Sequence, residues 1–214
     1  MNGRITVLLV DDHAVVREGY RRLLEDSGRI AVVGEAANVT EACQVLAAVS
    51  PSVVVMDIAL PGVSGIEGTR RILAHDARAR VLIFSMYDEA IFVRRALEAG
   101  AAGYLTKASA PQVLVEAIDT VAAGRRFLSP DVAQVLALQP ARGEQAAPDV
   151  LSSREFEVLK LLVDGRTVSD IARHLGLTPK TVSNHQSAIR QKLGAESPTQ
   201  LLRAAMNLGL VPPV

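Results

Sequence analysis

The chain contains no tryptophan, three tyrosines and four phenylalanines in 214 residues. That scarcity speaks against stacking-rich RNA platforms, which need aromatic faces for their bases, and against aromatic-lined ligand cavities. There is one cysteine, Cys43, so no internal disulfide can form and no thiolate pair can hold a metal. A buried, inert thiol in a reducing compartment is the expectation. Long apolar runs are also absent. The N-terminal "ITVLLV" stops after six residues at Asp11-Asp12, which suits a strand and not a signal peptide, and nothing approaches the length of a membrane span. Net charge is zero, with 23 basic and 23 acidic residues, so the whole chain is no obvious polyanion binder. The absences leave a soluble, cytoplasmic protein as the expectation.

The charge balance conceals an asymmetry. Residues 1–127 carry 14 Lys/Arg against 15 Asp/Glu, whereas residues 151–214 carry 8 against 5. The tail is mildly basic, which permits nucleic-acid contact without requiring it. The first part alternates short β-branched runs, "ITVLLV", "IAVVGEA", "PSVVVMD", "RVLIFSM" and "AGYLTK", with amphipathic stretches such as "VVREGYRRLLED" and "PQVLVEAIDTVAAG". Near-continuous apolar runs are the signature of strands covered on both faces. Five such repeats predict a five-stranded, doubly wound parallel sheet over 1–127, an α/β domain of the flavodoxin-like kind.

Residues 128–150 read as a linker with a short helix starting at Ser129-Pro130, followed by Pro140, Gly143 and Pro148 among Ala and polar residues. The tail, 151–214, opens with "LSSRE", where Ser152 and Glu155 have capping-box spacing and Leu151 with Phe156 fits the hydrophobic staple. Three further helices are predicted from "TVSDIARHLG", "TPKTVSNHQSAIRQKLG" and "SPTQLLRAAMNLG", so the second domain is all-α with four helices. Gly165, Gly176, Gly194 and Gly209 fall where helices should end.

Ligands of open α/β sheets bind beyond the carboxyl ends of the strands. Asp11 and Asp12 end the first strand, Asp57 the third, Ser85 the fourth and Lys107 the fifth. Three acids brought together repel unless a cation joins them, and hard oxygen ligands suit Mg²⁺. A carboxylate can accept a phosphoryl group, with a metal and a lysine to stabilise its charge. Taken singly, each residue has a plainer role as a polar turn, a cap or a solvated side chain; their conjunction at successive strand ends carries the argument.

In the tail, "TVSDIARHLGLTPKTVSNHQSAIRQKLG" reads as helix, turn, helix. At about 100° per residue, Val182, His185, Ile189 and Leu193 share one side of the second helix. Lys180, Asn184, Ser187 and Gln191 share the other, with Ser183 on its flank. That face suits the major groove, Asn and Gln pairing adenine edges and Lys reaching guanine or phosphate. A packed histidine, not a base reader, is the expectation for His185. The paired arginines 21–22, 70–71, 94–95 and 125–126 read as solvated helix faces.

The ordered set "VDDH" (10–13), "MDIALPGVSGIEG" (56–68), "FSMYDE" (84–89), "AGAAGYLTK" (99–107) and "KTVSNHQSAIRQKLG" (180–194) resembles the two-component response regulators of the NarL/FixJ family, over essentially the whole chain. The resemblance implies a receiver domain and a LuxR-type helix-turn-helix. It implies that Asp57 is the phosphoacceptor and that Mg²⁺ is held by Asp11, Asp12, Asp57 and the Ala59 main-chain carbonyl. Lys107 would contact the phosphoryl group, Ser85 would swing toward it, and Tyr104 would rotate inward behind Ser85. Lys180, Thr181, Ser183, Asn184, Ser187 and Gln191 would meet DNA. The implied partners are a sensor histidine kinase, promoter DNA, a second copy of the chain when active and RNA polymerase; no membrane is implied, and no enzyme beyond slow autodephosphorylation. The sequence departs from many relatives at Ala108, where proline is common, and at Gln186 and Ser187, where Arg or Lys is common. A phosphatase-type hydrolase would want an acid at Ala59, and a ligand-sensing regulator would want a cavity where this chain has acids and a lysine. A phosphorylation-independent receiver controlled by dimerisation or a ligand is the remaining alternative.

Overall fold

A computed structural model describes residues 4–109, 111–138, 151–208 and 210–211. The Pro140, Gly143, Pro148 and Gly209 expectations lie outside the described residues. The first part runs β1 (Ile5–Val10), α1 (Ala14–Asp26), β2 (Ile30–Ala36), α2 (Val39–Val49), β3 (Val53–Met56), α3 (Gly65–His75), β4 (Val81–Ser85), α4 (Ala90–Glu98), β5 (Gly103–Thr106) and α5 (Pro111–Ala122). All strand pairs are parallel, in the order β2-β1-β3-β4-β5, with a sixth strand beyond β5.

Alternation along the strands divides the core in two. Leu8, Val10, Val54, Met56 and Ile83 point to one face, and Val7, Leu9, Val53, Val55, Leu82 and Phe84 to the other. Both faces are covered by helices, which is why β3 and β4 are buried at every position. The strand order reverses beside β1, so the carboxyl ends of β1 and β3 open a crevice there.

The sheet has six strands and not the expected five. β6 (Phe127–Leu128) pairs Gly103 with Phe127 and Tyr104 with Leu128. Two residues are too few to show any periodicity, so no strand was legible there. Residue 127 is therefore not the end of the sheet. The next helix, α6 (Pro130–Leu138), packs against α4 and β5, and Thr106 Oγ1 donates to Asp131 Oδ2 at 2.7 Å.

The second part contains α7 (Ser153–Val163), α8 (Val168–His174), α9 (Pro179–Leu193) and α10 (Pro198–Asn207). The capping box forms as read, with Ser152 accepting from Glu155 N–H at 3.2 Å and Glu155 from Ser152 N–H at 2.6 Å. Leu151 and Phe156 are both buried at this helix start. Glu155 also binds Lys192 at 2.8 Å, tying the start of α7 to α9. No helix among the described residues is long and apolar enough to cross a membrane.

Candidate functional site

Four strand ends build the site. β1 delivers Asp11 and Asp12, β3 Asp57, β4 Ser85 and β5 Lys107. Asp57 is 5% exposed. Its Oδ1 accepts from Ile58 N–H at 2.6 Å and, more weakly, from Ala59 N–H at 3.4 Å. Its Oδ2 receives Lys107 Nζ at 2.5 Å, and the same ammonium reaches Asp11 Oδ2 at 2.5 Å. Lys107 thus bridges the two acids and offsets a repulsion that burial would magnify. Burial lifts the Asp57 carboxyl, Lys107 pulls it back, and the net direction is upward. Burial works against the Lys107 ammonium, but Asp57 and Asp11 outweigh it and raise its pKa.

The β3–α3 loop is shaped by Gly65. A Cβ there would lie 1.8 Å from the Asp57 carbonyl oxygen, so only glycine lets α3 start this close to the acid. Arg17 in α1 donates to the Asp11 carbonyl and binds Glu35 on β2 at 3.1 Å, which fixes the end of β1.

Asp11, Asp12 and His13 present ligand atoms that all lie within 4.8 Å of one another. Asp12 Oδ1 is buried without a hydrogen bond, although His13 Nδ1 lies 2.7 Å away. A carboxylate oxygen with no hydrogen bond of its own, set beside a second acid and an imidazole, fits a hard divalent cation. Asp57 is not part of this compact group, and Lys107 links it to Asp11. His13 is the member that sequence reasoning missed, its position directly after two acids being the only signal.

Ser85 is fully buried, and its Oγ accepts from Tyr87 N–H at 3.4 Å. Tyr104 is also fully buried, its hydroxyl donating to the Tyr87 carbonyl at 2.5 Å. The expected inward rotation therefore has no outward starting point here. The Tyr87 carbonyl satisfies the phenol inside, which makes the inward rotamer stable in its own right.

At the other end of the chain, α9 starts at Thr178, which accepts from Thr181 N–H at 3.1 Å, with Pro179 in the first turn. Lys180, Ser183, Asn184, Ser187 and Gln191 are exposed, while Thr181 is half-buried. The Thr181 hydroxyl is paired with Thr178 Oγ1 at 2.8 Å, and Ser187 Oγ donates to the Ser183 carbonyl at 3.0 Å. Lys180, Asn184 and Gln191 are therefore the long side chains that the face offers. Val182 and Ile189 face the core, and half-buried His185 has its pKa lowered by that burial.

Residues 7–119 match the response regulator receiver domain family, and residues 149–205 match the luxR family of bacterial regulatory proteins. The response regulator UvrY of Escherichia coli is 38% identical over 208 residues, covering 96% of this chain and 95% of that protein. The response regulator GacA of Pseudomonas aeruginosa is 37% identical over 209 residues, covering 97% and 98%. Among solved structures, a LuxR-family two-component response regulator from Aurantimonas is 51% identical with a TM-score of 0.62, covering 63% of this chain and 96% of that one. RcsB of Salmonella enterica serovar Typhimurium, bound to the promoter rprA with a phosphomimetic, is 27% identical with a TM-score of 0.64, covering 94% and 98%.

Proposed function

Because this chain belongs to the two-component response regulators that join a receiver to a LuxR-type DNA-binding domain, and is a DNA-binding transcription regulator, we propose that Asp57 is the residue whose phosphorylation controls it. One observation carries the reading: a strand-end carboxylate, at the crevice of the sheet, is held 2.5 Å from Lys107 beside a second acid. A sensor histidine kinase is the donor that a receiver calls for. Asp57 Oδ attacks the phosphorus of a phosphorylated imidazole, the P–N bond breaks, and an acyl phosphate forms on the carboxylate as the imidazole leaves.

Asp11 and Asp12, with Asp57 and the Ala59 carbonyl, would hold Mg²⁺, which when bound supplies the positive charge that lets anionic donor and acceptor approach. Lys107 remains paired to the phosphoryl oxygens after Asp57 Oδ2 is consumed. Ser85 Oγ turns from Tyr87 N–H to the phosphoryl group, which frees the Tyr87 main chain that Tyr104 also grips. The protein acts in the cytoplasm, and phosphorylation favours a dimer in which two copies of α9 enter successive major-groove half-sites through Lys180, Asn184 and Gln191, with Ser183 beside them and Thr181 and Ser187 supporting the face. RNA polymerase is the downstream partner, and loss of the phosphoryl group proceeds by slow hydrolysis on the receiver itself.

Intact mass after incubation with acetyl phosphate and Mg²⁺ tests the reading. The wild type gains one phosphoryl group and Asp57→Asn gains none. Equal labelling of both, or regulated DNA binding retained in Asp57→Ala, would refute it.

A further inference from the structure

Helix α7 is buried from Ser153 through Leu159, which a small helical domain cannot achieve alone. One side packs on α8, α9 and α10, and the receiver covers the other. Arg154 Nη2 donates to the Leu60 carbonyl, in the loop that begins at Asp57. Arg95 of α4 lies 3.7 Å over the Phe156 ring, and Lys160 binds Glu89, the cap of α4, at 3.0 Å. Gly176, in the α8–α9 turn, sits so close to Pro61 that a Cβ would meet it at 2.6 Å. The reading face of α9 stays exposed, so docking restrains where the helix can go and not what it can touch.

At the centre of this contact is Glu157, fully buried. Arg154 Nη1 binds its Oε2 at 2.5 Å, while Glu157 Oε1, Arg154 Nε and Tyr87 Oη are buried with no hydrogen-bond partner. A half-satisfied ion pair is a poor permanent anchor, because burying it costs more than its attraction returns. We propose that Arg154 and Glu157 form a proton-linked latch, so that release of the DNA-binding domain from the receiver responds to pH as well as to events at Asp57.

The groups facing Glu157 are Arg154 on its own helix, Ser64 at the cap of α3, Tyr87 after β4 and Asp57 at the end of β3. Burial lifts its carboxyl to about 7, Arg154 and Ser64 oppose the rise, and Asp57 adds to it. Undocked, the carboxyl returns to water and toward its ordinary 4.5. Docking therefore takes up a proton. The docked form is favoured below the ordinary value, loses that advantage as pH rises to about 7, and is flat above. Negative charge added at Asp57 disfavours the docked carboxylate further, so the two inputs push in one direction.

The test is small-angle scattering of the full chain between pH 5.5 and 8, at concentrations where forward scattering gives the monomer mass. The wild type expands as pH rises, its opening constant growing by up to about tenfold per pH unit below neutrality. Asp57→Asn keeps the direction of that response, over a narrower pH range because burial still lifts Glu157 while the Asp57 charge no longer adds to it, which separates the latch from phosphorylation. Glu157→Gln stays compact and loses the slope. Glu89→Lys opens the chain at pH 5.5, and adding Lys160→Glu restores compaction in part, since Lys160 also serves Asp164. A wild type with no pH response, a Glu157→Gln chain that keeps the slope or is open throughout, or a Glu89→Lys chain as compact as the wild type would each overturn the proposal.

Discussion

Tyr104 shows how much one side chain can hold. Its hydroxyl meets the Tyr87 carbonyl inside the core, and Tyr87 stacks on Phe92 at 4.4 Å. Tyr104→Phe leaves that carbonyl unpaired and should cost about 1–3 kcal/mol, read as a lower urea midpoint with an unchanged slope. Lys107→Met removes the ammonium that bridges two buried acids and should cost about 3–5 kcal/mol in metal-free buffer, by the same measurement. Asp11, Asp12, Asp57, Ser85 and Lys107 were legible because each follows an apolar run, and strand ends are where such runs stop. His13, Arg17 and Gly65 were not, because their roles depend on a neighbour across the sheet or on a backbone approach that no periodicity encodes.

Elements differ in how openly they announce themselves. α7 and α9 carry their own start signals, serine or threonine caps with a capping box or a first-turn proline, and both begin where those signals stand. Ser152→Ala should lower stability by about 0.5–2 kcal/mol, seen as a lower Tm of the second domain, with part of the loss coming from the Glu155–Lys192 pair that the cap orients. β6 had no such signal, since it exists only because β5 offers an edge. The docking of α7 was equally hidden. "SREFEVLKLL" looks like an ordinary amphipathic helix with charged residues for solvent, yet Arg154 and Glu157 are buried against a domain more than ninety positions away in sequence. Gly176→Ala tests that packing, for a methyl group would be strained at a φ of +59° and would strike Pro61. The expected result is a chain whose α7–receiver contact is opened, read as a larger radius of gyration at pH 5.5.

Across the whole molecule, several carboxyls resist protonation more than usual. Burial opposes the trend at Glu35, Asp131 and Glu155, but Arg21 and Arg17, the Thr106 hydroxyl, and Lys192 with Ser152 respectively overcome it and lower each pKa. The stability they contribute is present above their ordinary values and disappears as pH falls through the lowered ones. Urea midpoints should therefore fall below about pH 4, and Asp131→Asn should flatten part of that fall. Asn184→Ala should weaken binding to the cognate site by about 1–3 kcal/mol with little effect on unrelated DNA, measured by titration at fixed salt. The division into two domains was readable from composition; their mutual arrangement was not, because it rests on scattered polar and apolar contacts, Phe156 and Gly176 among them, with no repeating pattern.

Twelve residues separate Leu138, at the end of α6, from Leu151, at the foot of α7. Short tethers hold their two ends at an effective concentration on the order of millimolar. A contact that would scarcely form between separate molecules can thus keep the domains together, and a change of a few kcal/mol in its free energy moves the balance between docked and open. The same arithmetic limits the latch from the other side: a nanomolar clasp at that local concentration would stand open only about one part in a million, too seldom to be switched.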